Sequence, residues 1–187
     1  DVDAATISKR TRSKMNLKED HFIYGEISGF SLIKLLAFVA PSSEDVFYDL
    51  GSGSGKTVLI ADYCFNMKKS CGVELLPTLF DLSQRKADLY RQILKMENPP
   101  RQSKAHFEHR SFLDFDISDA TIILINATAL RGPTWTALLP KLASLKDGVR
   151  IIVSTFELPP PFKCLLISTE VMSWGVCQVR IYEKVRI

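Results

Sequence analysis

The sequence is short of the residues that announce metal, redox or nucleic-acid chemistry. Its four cysteines (Cys64, Cys71, Cys164, Cys177) stand apart, with no Cys-x-x-Cys pair and no ligand-like spacing. Each sits in an apolar stretch, so buried free thiols in a reducing, intracellular compartment are expected in place of disulfides. The three histidines, His21, His106 and His109, share no pattern, and the last two would face opposite ways on a strand. No metal site is expected. Charge of one sign is equally scarce: the net charge is +3, too little to point to nucleic acid. The longest apolar run, Leu32 to Ala40, is broken by Lys34 and too short to span a bilayer. The chain starts at Asp1 and not at Met, which leaves a removed targeting segment open. What is present is ordinary for a globular protein. Hydrophobic residues make up 46% and charged residues 24% of 187, enough for one α/β domain and too few for two.

The glycines are few, but three fall at alternate positions in Asp49-Leu-Gly-Ser-Gly-Ser-Gly-Lys-Thr57. Val46-Phe-Tyr48 before this stretch reads as a buried strand, closed by Asp49 and Leu50. Thr57 to Phe65 after it reads as a helix. Such glycines allow a tight turn and bare main chain for a ligand to approach, with the free N–H groups of the helix facing the same spot. A Walker loop would need a glycine at position 50, which is Leu50. The dinucleotide fingerprint would need one at position 56, which is Lys56. The remaining pattern, acidic-x-Gly-x-Gly-x-Gly, resembles the first motif of class I, seven-strand S-adenosylmethionine-dependent methyltransferases. That resemblance implies a loop holding the methionine end of the cofactor and an acid, Asp49, receiving its amino group.

The flanking chain supplies the other parts of an open α/β sheet. Residues 1–20 are polar, with Lys9, Arg10, Arg12, Lys14 and Lys18 against Glu19 and Asp20. They are expected to be a solvated or loosely helical arm, or a basic arm docking an acidic partner. Tyr24-Gly-Glu26 suggests a segment folding over the cofactor, with Tyr24 as core packing the plainer alternative. An apolar helix runs from Ser28 to about Ala40, stopped by Pro41. Residues 1–40 are thus read as an arm and helix covering the cofactor site, and 41–187 as the cofactor-binding core. Ser70–Glu74 reads as a second parallel strand whose closing acid lies 23 residues after Gly51, where ribose hydroxyls would sit. Leu76 to about Asn98 is a long helix with Pro77 in its first turn. Its two apolar stripes, one of them Leu79, Leu82, Leu89, Ile93 and Met96, are read as core and not as a partner surface. Ala105–Phe112 is a third strand, with Phe112 placed to stack on adenine. Asp114 and Asp116 could accept the adenine amino group or form a plain acidic loop. Thr121–Ile125 must be a central strand buried on both faces. It ends in Asn126, either a turn former or a catalytic group at the sheet edge where chemistry gathers. A helix from Pro133 to Leu145, interrupted or delayed by Pro140 and capped by Gly148, leads to a strand at Val149–Thr155. The stiff Phe156–Phe162 loop and two strands meeting around Trp174-Gly175 close the chain.

From Tyr24 to Val185 the order of motifs resembles the disruptor-of-telomeric-silencing family, the seven-strand, non-SET histone lysine methyltransferases. The matching pieces are Tyr24-Gly-Glu26, Asp49-Leu-Gly-Ser-Gly53, Gly72-Val-Glu74, Asn126 with Gly132-Pro133, Ser154 with Phe156, and Trp174. The family has Thr, Gln, Asp and a second Asn where this chain has Ile27, Lys56, Ser111 and Ala127. The implied fold is α/β, Rossmann-like, with a seven-strand sheet, mostly parallel, ending in an antiparallel hairpin and carrying helices on both faces. The implied activity is transfer of methyl from S-adenosyl-L-methionine to a protein lysine. Tyr24, Asn126, Phe156 and Trp174 would form and orient the lysine channel, with the Asn126 side-chain oxygen on the amine. Tyr24, Glu26, Ile27, Asp49, Gly51, Ser52, Gly53, Lys56, Glu74, Leu75, Ser111, Phe112 and Asn126 would hold the cofactor. A cofactor-binding module without catalysis and a small-molecule methyltransferase are the alternatives. A nucleobase amino-methyltransferase would carry Asn/Asp-Pro-Pro-aromatic after the fourth strand, and Asn126-Ala-Thr-Ala129 departs from that.

Overall fold

β1 (Val46–Leu50) is buried along its whole length, and the sheet grows outward from it on both sides. In the computed structural model, which describes residues 4–14, 25–130 and 132–186, β1 pairs in parallel with β2 (Lys69–Glu74) and with β4 (Ile122–Ile125). β3 (Ala105–His109) extends the sheet beyond β2, and β5 (Arg150–Ser154) beyond β4, both parallel. β6 (Phe162–Met172) and β7 (Gly175–Lys184) form the expected antiparallel hairpin, with β7 inserted between β5 and β6. The order is β3-β2-β1-β4-β5-β7-β6, the seven-strand arrangement the motifs implied. The direction of winding reverses between β1 and β4, so a crevice opens at their carboxyl ends.

Alternation along the strands feeds a core on each face. Tyr48, Leu50, Ile123, Ile125, Ile151 and Val153 point to the side covered by α5 (Pro133–Ala143). Phe47, Ile122, Leu124 and Ile152 point to the other, where α2 (Gly29–Val39) and α3 (Lys56–Cys64) bring Leu32, Leu35, Leu36, Val58 and Ala61. Each of these large side chains, fully buried, contributes about 1.5–3 kcal/mol. The hydroxyl of Ser28 caps α2 by accepting from the Ser31 amide at 3.1 Å.

Five expectations need correction. α4 (Pro77–Met96) buries Leu79, Ser83, Ala87 and Leu94, but the outer part of its second stripe is bare, with Leu89 60%, Ile93 59% and Met96 85% exposed. α4 lies at the β3 edge of the sheet, packed on β2, β3, α3 and α1 (Ala4–Lys14), and those neighbours cover only a narrow strip of it. Of the cysteines only Cys71 is buried; Cys64 and Cys164 are exposed and Cys177 is half-buried, all four free. An apolar sequence context did not say which face each thiol takes. Pro140 sits inside α5 without interrupting it, because the carbonyl it leaves unbonded is that of exposed Thr136. Gly148 is not the cap of α5; Ser144 follows the helix, and Gly148 turns the chain into β5 with its amide on the Lys184 carbonyl at 2.8 Å. The N-terminal arm is more ordered than expected over residues 4–14. α1 buries Ser8 and Thr11, the latter hydrogen-bonded to Thr78 of α4.

Candidate active site

The glycine loop is held to β2 by its own amides. Gly51 and Ser52 both donate to the Val73 carbonyl, at 2.8 and 3.2 Å, and Gly55 closes the turn on Ser52 at 2.9 Å. Two glycines are required by space. Gly55 has φ +79°, and a Cβ there would lie 2.6 Å from the Phe107 ring. A Cβ on Gly72 of β2 would lie 2.5 Å from Ser52 Oγ and 2.7 Å from Phe107. Gly51, at φ +89°, instead looks into open space. Close seating behind and bare backbone in front are what a ligand-cradling loop needs.

Two buried acids flank this loop. Asp49 accepts the Thr57 hydroxyl, and burial, aided by the charges of Glu74 and Glu26, pushes its carboxyl up to about 7 despite that bond. Glu74 accepts the Gly53 amide on one oxygen and the Leu76 amide on the other, both at 2.8 Å. Burial raises its pKa, and those amide bonds oppose the rise. With the Leu75 amide bonded to the carboxylate as well, one of its four lone-pair sites stays open for a hydroxyl donor.

The described candidates for cofactor contact converge on one cavity of about 250 Å3. Its floor is Asp49, Gly51, Ser52, Gly53 and Lys56, with Glu74 and Leu75 beside them. Ser111 and Phe112 stand at the exit of β3, and Glu26, Ile27 and Asn126 line the remaining side. Tyr24 lies outside the described residues. Asp114 and Asp116 are exposed and do not line the cavity. Sequence reasoning missed Leu76, Leu79, Leu113, Leu130, Thr57, Thr134 and Ser8, which line it too. Leu76 and Leu79 were legible as a helical stripe beside the acid. Ser8, one polar residue in a polar arm, carried no signal.

The segment Gly25–Ser28 roofs the site and is tied down on three sides. Its Glu26 carboxylate takes the Lys56 ammonium and the Ser54 hydroxyl, each at 2.6 Å. Its backbone adds to the tip of the β6–β7 hairpin. The Ser173 amide donates to Glu26 O at 2.8 Å, Ser28 donates to Val171 O at 2.9 Å, and Ile27 bridges Met172. The Gly25 carbonyl accepts Asn126 Nδ2 at 2.7 Å. Asn126 Oδ1, the atom expected to face an amine, accepts the Ser154 hydroxyl at 2.8 Å and the Thr128 hydroxyl at 3.3 Å. Trp174 packs directly over Gly25, and Phe156 stacks on Trp135 with centroids 4.9 Å apart, both outside the cavity lining. Among the described residues no three His, Cys, Asp or Glu side chains gather as a metal site would require, and no helix is long and apolar enough to cross a membrane.

These residues fit an amino-acid nucleoside. Two buried acids are available to an amino group and to hydroxyls, and Leu76, Leu79, Phe112 and Leu113 offer apolar walls to a planar base. The strand order with this loop after β1 is the fold of the seven-strand, S-adenosylmethionine-dependent methyltransferases. An RNA methyltransferase from Salinibacter ruber, solved in complex with S-adenosyl-L-homocysteine, superposes with TM-score 0.65 and 20% identity over 83% of this chain and 91% of that one. TrmN from Thermus thermophilus superposes at 0.64 and 18% identity, over 96% and 53%. At that identity the likeness is one of fold. Within this fold, the chain belongs to the family described as Histone methylation protein DOT1, which it matches over residues 10–172. A Drosophila melanogaster H3 lysine-79 specific histone-lysine N-methyltransferase is 32% identical over 149 residues, covering 75% of this chain and 8% of the fly protein. A protein-lysine N-methyltransferase of Saccharolobus islandicus (strain REY15A) is 31% identical over 130 residues, covering 67% of this chain and 71% of the archaeal one. The chain thus spans a small part of the fly relative and most of the archaeal one.

Proposed function

We propose that this chain transfers a methyl group from S-adenosyl-L-methionine to the side-chain amine of a lysine in a protein. The observation that carries the reading is the meeting of Asp49, Glu74 and the roof segment around one cavity in a chain of the DOT1 family. When bound, the cofactor would supply a methyl group on a sulfonium, open to in-line attack by a neutral amine.

The chain's own residues would do the rest. Asp49 would anchor the amino-acid end, and Glu74 the ribose, each charge-assisted hydrogen bond contributing about 1.5–3 kcal/mol. Presenting a lysine as the free amine at pH 7 costs roughly 4.6 kcal/mol from a pKa near 10.4. A narrow apolar channel lowers that cost, since desolvation disfavours the ammonium. Trp174 and Phe156 are the aromatic walls in this reading, with Tyr24 as a third, and Asn126 orients the roof at the channel's inner end. Alignment is then the main contribution to rate. Nucleic acid is not the proposed substrate.

Calorimetry with S-adenosyl-L-homocysteine, together with tritiated methyl transfer into a whole-cell extract that retains its nucleic acid, tests this. The expected result is saturable binding and label in protein lysine. Binding without any label would leave a cofactor-binding module, and label in nucleic acid would replace the substrate class.

A further inference from the structure

Asn126 is one link in a directed chain of hydrogen bonds. Ser154, the last residue of β5, is 3% exposed and lies behind it. The Ala127 amide donates to Ser154 Oγ at 3.0 Å, the Ser154 hydroxyl donates to Asn126 Oδ1 at 2.8 Å, and Asn126 Nδ2 donates to the Gly25 carbonyl at 2.7 Å. The direction is set at the Gly25 end. A carbonyl only accepts, so Gly25 must meet the NH2 side of the carboxamide, which turns Oδ1 toward Ser154. The Ser154 hydroxyl, accepting from the Ala127 amide on one lone pair, has its single proton available for Oδ1. The chain of bonds is thus consistent from Ala127 to Gly25.

We propose that Ser154 is a positioning residue for methyl transfer, acting through Asn126 to hold the Gly25 carbonyl and the roof segment in register with the channel. The inference rests on the methyltransferase reading above. Without the Ser154 hydroxyl, Oδ1 keeps only the longer bond from Thr128, and the carboxamide can turn away from Gly25. Gly25 lies under Trp174, so the loosening falls on the channel wall. The glycine loop and Glu74 keep their own bonds to one another and to β2, so cofactor affinity is affected less than the channel.

The test uses the full chain in native, Ser154→Ala and Ser154→Thr forms, with three readouts. S-adenosyl-L-homocysteine affinity is measured by calorimetry. The Asn126 side-chain amide is followed by 15N NMR, its signals identified by their loss in Asn126→Asp. Tritiated methyl transfer into a total protein extract gives the rate. The expected result is affinity constant within about twofold, with transfer about tenfold slower in Ser154→Ala, the loss of one neutral hydrogen bond, and largely restored in Ser154→Thr. The Asn126 amide protons should exchange slowly in the native chain and fast in Ser154→Ala. An Asn126 amide that is already fast-exchanging in the native chain overturns the proposal, even if Ser154→Ala fails to fold. So does an unchanged rate, or a loss of affinity equal to the loss of rate. A native chain that binds no S-adenosyl-L-homocysteine defeats the cofactor reading itself, and this inference with it.

Discussion

The indole of Trp174 fills the space that a side chain at Gly25 would occupy: a Cβ placed there falls 1.7 Å from a ring carbon. Gly25→Ala must therefore move the ring. Trp174 is 42% exposed and sits at a hairpin tip, so it can swing outward at little cost in stability. The melting temperature should change by only a few degrees, about 1 kcal/mol or less. Methyl transfer should fall far more than cofactor affinity. In a Trp135→Phe background, which leaves Trp174 as the single tryptophan, the emission should shift to the red. Unshifted emission would mean the ring does not pack on Gly25.

Glu74 does two jobs that substitutions can separate. Removing its carboxylate orphans the Gly53 and Leu76 amides as well as the proposed ribose contact. Glu74→Ala should cost about 1–3 kcal/mol of stability for each buried donor left unpaired. It should also weaken S-adenosyl-L-homocysteine binding by tenfold or more, about 1.5 kcal/mol. Glu74→Gln keeps one acceptor oxygen and should recover part of the melting temperature while recovering less of the affinity. Calorimetry beside thermal melting distinguishes the two. Equal recovery in both would assign Glu74 to the fold alone.

The strands, the glycine loop and the acid after β2 were legible because each depends on neighbours a few residues away. A buried parallel strand needs a continuous apolar run, and Thr121–Ile125 could hardly be anything else. The outer stripe of α4 was misread for the converse reason. Leu89, Ile93 and Met96 have helical spacing, but what lies opposite them is decided by where the sheet ends, and β3 is its edge. The surroundings of Asn126 were half legible. Its place at the end of β4 followed from the strand, but the partners that fix its orientation, Gly25 and Ser154, are 101 and 28 residues away in the chain.

That misreading has a mutational signature. Leu94→Ala removes a side chain 1% exposed and should cost about 2–5 kcal/mol. Ile93→Gln, one residue earlier and 59% exposed, should lie within about 0.5 kcal/mol of the native chain. Urea unfolding of the two variants measures this directly. A large loss in Ile93→Gln would restore the whole stripe to the core.

Asp49 gives the site a pH dependence whose sign follows from its burial. Its carboxyl titrates near 7, far above the 3.8 of an exposed aspartate. The stability this group contributes is fully present below pH 3.8 and is lost as pH rises through 7, because burial favours the protonated form. Cofactor binding runs the other way. A cationic amino group is taken only by the ionised acid, so affinity rises with pH while proton release on binding falls. From pH 6 to pH 7.5 the ionised fraction of a group with a pKa of 7 grows about eightfold, while the cofactor's own amine, with a pKa of about 7.8, loses about a third of its charge. S-adenosyl-L-homocysteine affinity should therefore rise about sixfold over the interval, with proton release detectable as a dependence of the heat on buffer ionisation. Asp49→Asn should bind weakly at both values and flatten the profile. A native profile as flat as that of the variant would mean that Asp49 is ionised before the ligand arrives, or does not meet the amine at all.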